Sequence, residues 1–599
     1  MKIAFLILLT ALGFLAVILN LALDTRFKAR SMGFCACFAA VSGMLIYGYA
    51  YTWTSGLSVA TLFRTLMTIC RMFAGVNDLG TFSQTPLSRS DAAMAGFWLT
   101  HFLAFYVTAS AAIAVLGQQL LKYLRVKLLR VGAVTLVYGA TRQTARLVRL
   151  PRGSRGLVCV TRDDDDVSEA LGGVSFQDDP DGRAAAELLR HISARRPLSV
   201  YCVSPDAGEN LRFATALRDA MSARGMDGLN ASLFLLGVSE ARAVGLLASP
   251  GRCGFGSLFA CDESELTARQ AIRCLPPWSR VDFDADGRAS GDLRVLVVGF
   301  GRMGKAMLRH LVMNGQFEGS AFRAQVVDAR MDALSGLMKA RFSAMLEAYD
   351  IQLIQEDARS AAFYDRLEAH RPAIIALCAG SRKANMILAH ALERYYELRD
   401  ERPAIVQCAE GSVTLEDAEY RLENIDVRAM DRLAMVLNHA YCNGPSPEAD
   451  WRTCDAFSRA SCRASVDFYP AFCRMMGAET PEALERVWPP EGALLENMAR
   501  TEHRRWCAFH LAMGYRTMTE AELDRRAARI KTGEDIRLGK DTRAMTHACL
   551  VPWEALDGLS DREFAATGRR VDYKRMDVNN ILAIPEIMRR DSGERPLPS

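Results

Sequence analysis

The sequence predicts a three-part chain: a helical membrane N-terminus, two tandem α/β units with parallel sheets, and a small all-α C-terminal domain. Three observations predict it. Uncharged apolar runs long enough to cross a bilayer are confined to the first 116 residues. From residue 134 onward short β-rich runs alternate with longer helical ones, as in parallel strands covered by helices. Finally, the turn-rich break Cys442-Asn-Gly-Pro-Ser-Pro447 is followed by helical patterning. A chain of 599 residues has room for about three to five domains, so no single core accounts for it.

Composition excludes two function classes. The formal net charge is only +4, and no long Lys/Arg run is interleaved with aromatics, so nucleic acid is not an expected partner. The 16 cysteines are scattered, without a Cys-x-x-Cys pair or a Cys/His cluster at zinc spacing, so reduced thiols and no metal site are expected.

Residues 3–23 are uncharged and long enough to cross a hydrocarbon core of about 30 Å as a helix. A cleaved signal peptide would also start this way. Its apolar stretch is usually about 7–15 residues and ends at a small-x-small site, which the Leu-Ala-Leu-Asp ending here does not supply. Residues 32–53 and 92–116 are two further candidates, the latter carrying only His101 as a group that titrates near neutrality. Three spans are therefore expected. Lys and Arg in short loops resist translocation, and Arg26, Lys28 and Arg30, then Lys122, Arg125, Lys127 and Arg130, mark the cytosolic ends. The N-terminus and residues 54–91 are then outside, and everything after the third span is inside.

Within 54–91, residues 59–74 form an amphipathic pattern too charged to span, with Arg64 and Arg71 interrupting Leu62, Phe63, Leu66, Met67, Ile69, Met72 and Phe73. A short helix followed by the loop Gly75-Val-Asn-Asp78 between two spans is the order of elements in a pore loop, whose oxygens replace ion hydration. A helix lying on the outer surface fits the same residues, and no Thr-Val-Gly-Tyr-Gly filter is present.

The clearest α/β unit begins with the apolar run 293–298 and continues Gly299-Phe-Gly301-Arg302-Met303-Gly304. This is a Rossmann-like strand, glycine turn and helix. Gly299 allows the tight turn, Gly301 lets a pyrophosphate approach the backbone, and Gly304 brings helix against strand, with the helix N-terminus, Arg302 and Met303 included, facing the anion. The next strand ends in Asp328, placed to hydrogen-bond a ribose hydroxyl.

The same order of elements occurs earlier, after Gly139, so the unit is expected twice. Strands are expected at 134–138, 157–161, 174–178 and 199–203, and again at 293–298, 324–328, 351–355, 373–378 and 404–408. In the first copy Thr141 and Thr144 stand where the second and third glycines would be. That degrades its nucleotide site. The acid run Asp163 to Asp166 reads as a solvated loop rather than ligand chemistry.

The glycine turn, Asp328 and a third strand ending in Glu356-Asp357 resemble the nucleotide-binding domain of Trk-type potassium-uptake regulators, also the regulator-of-potassium-conductance domain of ligand-gated channels. The resemblance covers about residues 290–440 well and 130–285 in degraded form. It implies binding of NAD(H) or another adenine nucleotide, with Gly299, Gly301 and Gly304 at the phosphates, Asp328 at the ribose and Asp357 at the far side of the adenosine pocket. It also implies an attached pore that the domain pulls on.

Beyond the break, the ordered motifs Trp451, Ser461-Cys-Arg463-Ala-Ser-Val-Asp467, Trp488-Pro-Pro490, Glu502-His503-Arg-Arg-Trp506, Gly514-Tyr515, Val551-Pro-Trp553-Glu and Lys574-Arg-Met-Asp577 are similar to the ryanodine-receptor repeat domain. This small helical module also occurs in bacteria attached to nucleotide-binding domains. The combination implies a bacterial inner-membrane protein. On one helix Glu502 and Trp506 share a face with His503 nearby, an aromatic wall beside a charged pair that suits a base or ring. For any one of these residues a packed Trp with a capping acid in a small core is the favoured reading. Arg463 is read as an anion ligand because an unpaired guanidinium is costly to bury and matches phosphate bidentately, with Arg505 and Lys574 as weaker versions.

The expected organisation is a transmembrane unit at 1–128, a degraded Rossmann-like domain at 129–289, a nucleotide-binding one at 290–445, and the ryanodine-receptor-like domain at 446–599. The expected function is a nucleotide- or ligand-sensing channel or ion-transport regulator in the bilayer, assembled as a homo-oligomer because so few spans do not enclose a pore. The alternatives are a membrane-tethered NAD(P)-dependent oxidoreductase and a non-conducting scaffold. No His or Lys is paired with a carboxylate in a recognisable substrate domain, so no catalytic residue is assigned.

Overall fold

The computed structural model describes residues 25–592, apart from the internal stretches 129–132, 142–143, 149–155, 162–173, 178–182, 194, 227–229, 248–254, 400–401, 417, 423–428, 443, 479–480 and 535. The first expected span, 3–23, and the acid run Asp163 to Asp166 lie outside the described residues. The chain divides into two compact units, Met1–Val131 and Gly132–Ser599.

The first unit consists of α1 (Thr25–Ser55), α2 (Val59–Phe73), α3 (Leu79–Ser83) and α4 (Asp91–Leu128). Two stretches, Met32–Ser55 and Asp91–Ala112, are long and apolar enough to cross a membrane. Arg26, Lys28 and Arg30 sit within α1 rather than in a connection, because no Gly or Pro interrupts the helix there and Lys and Arg are good helix formers. α1 stops at Gly56, whose φ of +75° no β-carbon favours, and Ser58 restarts the chain by accepting the Thr61 N–H at 3.1 Å. α2 turns Thr61, Thr65 and Thr68 inward against the spans and leaves Leu62, Phe63, Leu66 and Met67 outside. That is the reverse of an amphipathic helix in a water-soluble protein. The inward hydroxyls are satisfied by carbonyls, Thr65 on Thr61 and Thr68 on Arg64, each at 2.9 Å.

The second unit opens with β1 (Val134–Tyr138), β2 (Gly156–Thr161), β3 (Val174–Gln177), α5 (Arg183–Leu189), β4 (Leu198–Cys202), α6 (Ala207–Ala223), β5 (Ala231–Leu236), α7 (Glu240–Leu247), β6 (Ser257–Cys261) and α8 (Glu263–Cys274). Its six strands pair in the order β3-β2-β1-β4-β5-β6, all parallel. A two-residue hairpin, β7 (Asp282–Phe283) with β8 (Ala289–Ser290), leads to the second copy.

That copy runs β9 (Leu293–Val298), α9 (Arg302–Asn314), β10 (Phe322–Asp328), α10 (Met331–Arg341), α11 (Ser343–Ala348), β11 (Asp350–Gln355), α12 (Ala361–His370), β12 (Ile374–Leu377), α13 (Arg382–Glu397), β13 (Ala404–Ala409), β14 (Ser412–Leu415) and β15 (Ala418–Arg421). The order is β11-β10-β9-β12-β13-β14-β15, parallel except for the last two strands. β9 is buried on both faces. Val295 and Val297 enter one apolar cluster while Leu296 and Val298 enter another, which is why its sequence is a continuous apolar run.

The remainder is mostly helical: α14 (Arg432–Cys442), α15 (Pro447–Thr453), α16 (Ala456–Met475), α17 (Pro481–Val487), α18 (Gly492–Ala512), α19 (Glu520–Lys531), α20 (Leu556–Thr567), α21 (Tyr573–Leu582) and α22 (Ile584–Ser592). A three-stranded sheet of two-residue strands, β16 (Arg516–Thr517), β17 (Lys540–Asp541) and β18 (Thr546–His547), adds to the expected all-α pattern. One apolar cluster runs from Ala268 and Ile272 on α8 through β9 to Phe468, Phe472 and Ile587. The second copy and the C-terminal helices therefore share a core.

Candidate functional site

The strand order reverses between β9 and β12, and the glycine turn lies at the carboxyl ends of these strands, where open α/β sheets present a crevice. The three glycines there have different reasons to be glycine. Gly299 has φ +97°, and a β-carbon on it would come within 2.3 Å of the Cys378 carbonyl oxygen. A β-carbon on Gly304 would lie 1.9 Å from the Gly299 oxygen. Both are required by the packing of strand, turn and helix. Gly301 is different: its φ is −68°, and a β-carbon there would meet nothing within 4 Å. It caps α9 without a side-chain bond, so the first N–H groups of that helix, beginning at Arg302 and Met303, open toward the space in front of Gly301.

Asp328 closes the turn from behind. One carboxylate oxygen accepts the Phe300 N–H and the other the Arg330 N–H, each at 2.8 Å. Lone pairs remain on both oxygens for a hydroxyl. Asp357 is half-buried and is held by Arg359 through Nε at 3.0 Å and Nη2 at 2.7 Å, and that guanidinium keeps its carboxyl down at about 2. Arg302 is exposed and lies 3.6 Å from Asp262, the N-cap of α8.

The corresponding turn of the first copy is closed by its own side chains. Gly139 keeps φ +64°, but Thr141 and Thr144 donate their N–H groups to each other's hydroxyls at 2.9 and 3.2 Å. The two copies nevertheless share a further device that sequence reasoning missed. Asn385 accepts the Ala379 N–H at 2.8 Å and donates to the Cys408 carbonyl at 2.9 Å; Asn210 accepts the Ser204 N–H at 2.9 Å and donates to the Leu236 carbonyl at 2.9 Å. Each ties the ends of two neighbouring strands. The signal was an Asn eight positions beyond the last residue of each fourth strand, Cys202 and Leu377.

In the first unit the loop expected between the spans is anchored at Asp78. Its carboxylate accepts the Tyr51 hydroxyl at 2.7 Å, and its N–H donates to the Tyr47 oxygen at 3.0 Å. Tyr47 in turn bonds His101 Nε2 at 2.8 Å, and His101 Nδ1 bonds the Phe97 carbonyl at 2.7 Å. Because Nδ1 must carry the proton to meet a carbonyl, Nε2 accepts and Tyr47 donates. Both apolar helices thus hold the loop.

The residues expected together in the C-terminal module are dispersed. His503 and Trp506 line a cavity of about 400 Å³. Glu502 is buried behind them in a pair with Arg505, at 2.7 and 2.8 Å. Lys574 pairs with Asp557 at 2.6 Å outside the cavity. Arg463 is corrected from an anion ligand to an internal clamp: it holds Asp431 through two bonds, 2.9 and 2.6 Å, and also pairs with Glu240. Arg269 bridges the same Asp431 to Asp467, and Arg459 joins at Glu240 at 3.1 Å. Three guanidinium groups meet three carboxylates, so a negative ligand is not needed there.

His503 aims Nδ1 at Asp577 (3.2 Å) and Nε2 at the Val551 carbonyl (2.8 Å), so both nitrogens face acceptors. Burial opposes the charge, but Asp577 and Cys507 outweigh it and raise the imidazolium to about 10. His510 and His547 beside Trp506 are pushed by burial down to about 3 and are neutral.

No family model matches the sequence, and no curated protein matches it. Among solved structures the chain is similar to the GsuK channel, at 15% identity and a TM-score of 0.32 over 65% of this chain and 89% of that one. It is also similar to the crystal structure of GsuK bound to ADP, at 14% identity and 0.30 over 65% of this chain and 90% of that one. The overlap is loose in both cases, and the chemistry of the turn rests on its own residues.

Proposed function

We propose that the chain is a membrane-embedded nucleotide sensor, in which an adenine nucleotide such as NAD(H) or ADP at the turn Gly299 to Gly304 biases an ion conductance or transport pathway built on the N-terminal helices. The observation that carries this is Gly301. The fold needs Gly299 and Gly304 for its own packing but does not need Gly301, and a glycine without an internal reason, at an uncapped helix N-terminus facing open space, suits the close approach of a pyrophosphate. Asp328 stands where a ribose hydroxyl would reach it, with Asp357 at the far wall. The outward apolar flank of α2 and the Asp78 loop held between two apolar helices fit a membrane pathway assembled from several copies of this chain, with the large unit in the cytoplasm.

The test is ion flux from the full-length protein in liposomes, with ADP or NADH added on the face bearing the large unit. A nucleotide-dependent flux that Gly301→Val uncouples while leaving basal flux supports the proposal. Flux that ignores both nucleotides, or no flux from well-folded protein, overturns it.

A further inference from the structure

The cavity beside His503 and Trp506 has the size of a small-molecule site and an uneven chemistry. Its inner wall is lined by aromatic rings, with the His503–Asp577 pair and Glu563 also on the lining. Trp506 lies tilted against His510, with ring centroids 3.9 Å apart, and meets His547 edge-on at 4.8 Å. His547 Nδ1 accepts the Cys549 N–H at 3.2 Å, which puts the proton on Nε2 and leaves that nitrogen as a donor. Asn580 and Tyr573 supply further polar edges on the lining.

The mouth is cationic. Arg537 and Lys540 line both this cavity and an adjoining depression of about 510 Å³ that also contains Arg543. Arg526 and Arg529 are neutralised there by Asp541 and Glu534, whereas Arg537, Lys540 and Arg543 have no ion pair among the described residues. The segment that carries Arg537 and, at the start of β17, Lys540 is fixed in place. Buried Arg526 donates to the carbonyls of Arg537, Leu538 and Lys540 as well as to Asp541, so the two cations are presented on an ordered backbone. An aromatic recess that opens onto cations with no carboxylate partner matches a ligand with a flat hydrogen-bonding ring at one end and phosphate at the other.

We infer that the C-terminal module is a second, independent nucleotide site, with the base in the recess against Trp506 and His547 and the phosphates on Arg537, Lys540 and Arg543. It does not depend on the turn at Gly301. Its anion ligands are not Arg463 or Lys574, both of which are spent on carboxylates.

The experiment uses the full-length protein in detergent, carrying Gly301→Val to silence the turn, and calorimetry with ADP, GDP, CDP and UDP as probes. At least one of the four is expected to bind at one per chain. The double change Arg537→Ala/Lys540→Ala, which leaves the carbonyls that Arg526 holds in place, lowers that affinity at least tenfold, and the matching nucleoside without phosphate binds at least tenfold more weakly than the diphosphate. Absence of binding by all four overturns the inference, as does equal affinity for nucleoside and diphosphate, or indifference to the double change. Failure of the turn alone reads differently: in the otherwise unaltered protein a single equivalent would bind, unaffected by Gly301→Val and lost with Arg537→Ala/Lys540→Ala.

Discussion

Thr141 and Thr144 cap each other: the N–H of Thr141 donates to the Thr144 hydroxyl at 2.9 Å, and the N–H of Thr144 returns the bond to the Thr141 hydroxyl at 3.2 Å. Two donors that a glycine turn would offer to an anion, the N–H groups of Thr141 and Thr144, are thus already used within the turn. The contrast with Gly301 sets a ranking. Gly301→Val is expected to weaken ADP binding at the turn about tenfold or more, roughly 1.4 kcal/mol, whereas Thr141→Val changes it by less than twofold. Asp328→Ala falls between the two. Calorimetry on the full chain in the Arg537→Ala/Lys540→Ala background isolates the turn, and control by Thr141 would mean the working copy has been misassigned.

Binding is expected without chemistry, because among the described residues no side chain at the mouth of the turn is arranged as an acid–base pair for a substrate. Purified protein mixed with NADH and small carbonyl compounds should show no steady loss of absorbance at the reduced-nicotinamide band. Continuous oxidation would revive the oxidoreductase alternative.

Stability should depend on pH through His503. Its pKa is raised from 6.5 to about 10, so the stabilisation from the charged pair with Asp577 is complete below about 6.5 and declines as the pH rises toward 10. The melting temperature of the full-length protein should fall across that window by more than that of His503→Gln, whose side chain does not titrate. Parallel profiles for the two proteins would show that His503 is neutral when folded.

The charge at the junction of the three parts can be removed one group at a time. Asp431→Asn leaves Arg269 and Arg463 facing one another without their shared carboxylate, and loss of one partner from a buried pair typically costs about 3–5 kcal/mol. Chemical denaturation of the protein should report a loss of that order. A change under about 1 kcal/mol would show that water reaches the cluster.

Topology is open to direct test. A reporter at Ser83 is expected outside and one at Ser599 in the cytosol, since the basic residues flank the apolar helices on one side. A cytosolic Ser83 rejects that orientation.

The parts of the fold that were legible in the sequence are those whose burial leaves a pattern. β9 is enclosed on both faces and reads as an unbroken apolar run, and the spacing of Gly299, Gly301 and Gly304 follows from contacts within a few residues. β5 and β6 were not recognised, because short apolar runs such as Ala-Ser-Leu-Phe-Leu-Leu look alike in a buried strand and a buried helix. β14 and β15 are four-residue strands at one end of the sheet, with half-polar faces. The site in the C-terminal module was only half visible. Trp506 and His503 announce themselves on one helix, but the partners of Arg463 lie 32 and 223 positions away, and nothing in a local window reveals that its charge is already matched. Arg537 in its loop and Lys540 at the start of the two-residue β17 show no periodicity and carry no motif.

The six-membered charge cluster bears on how this protein can be divided. Glu240 and Arg269 come from the first copy, Asp431 from the end of the second, and Arg459, Arg463 and Asp467 from successive turns of α16. A fragment ending at the turn-rich break near residue 445 would keep two carboxylates and one guanidinium at the seam and expose the apolar face that Phe468 and Phe472 cover. Grafting the helical end onto another nucleotide-binding domain would meet the mirror problem, two stranded arginines and one acid. The change of architecture at that break is therefore a border in pattern but not in folding, and inheritance of the three parts as a set is what the electrostatics of the seam enforce.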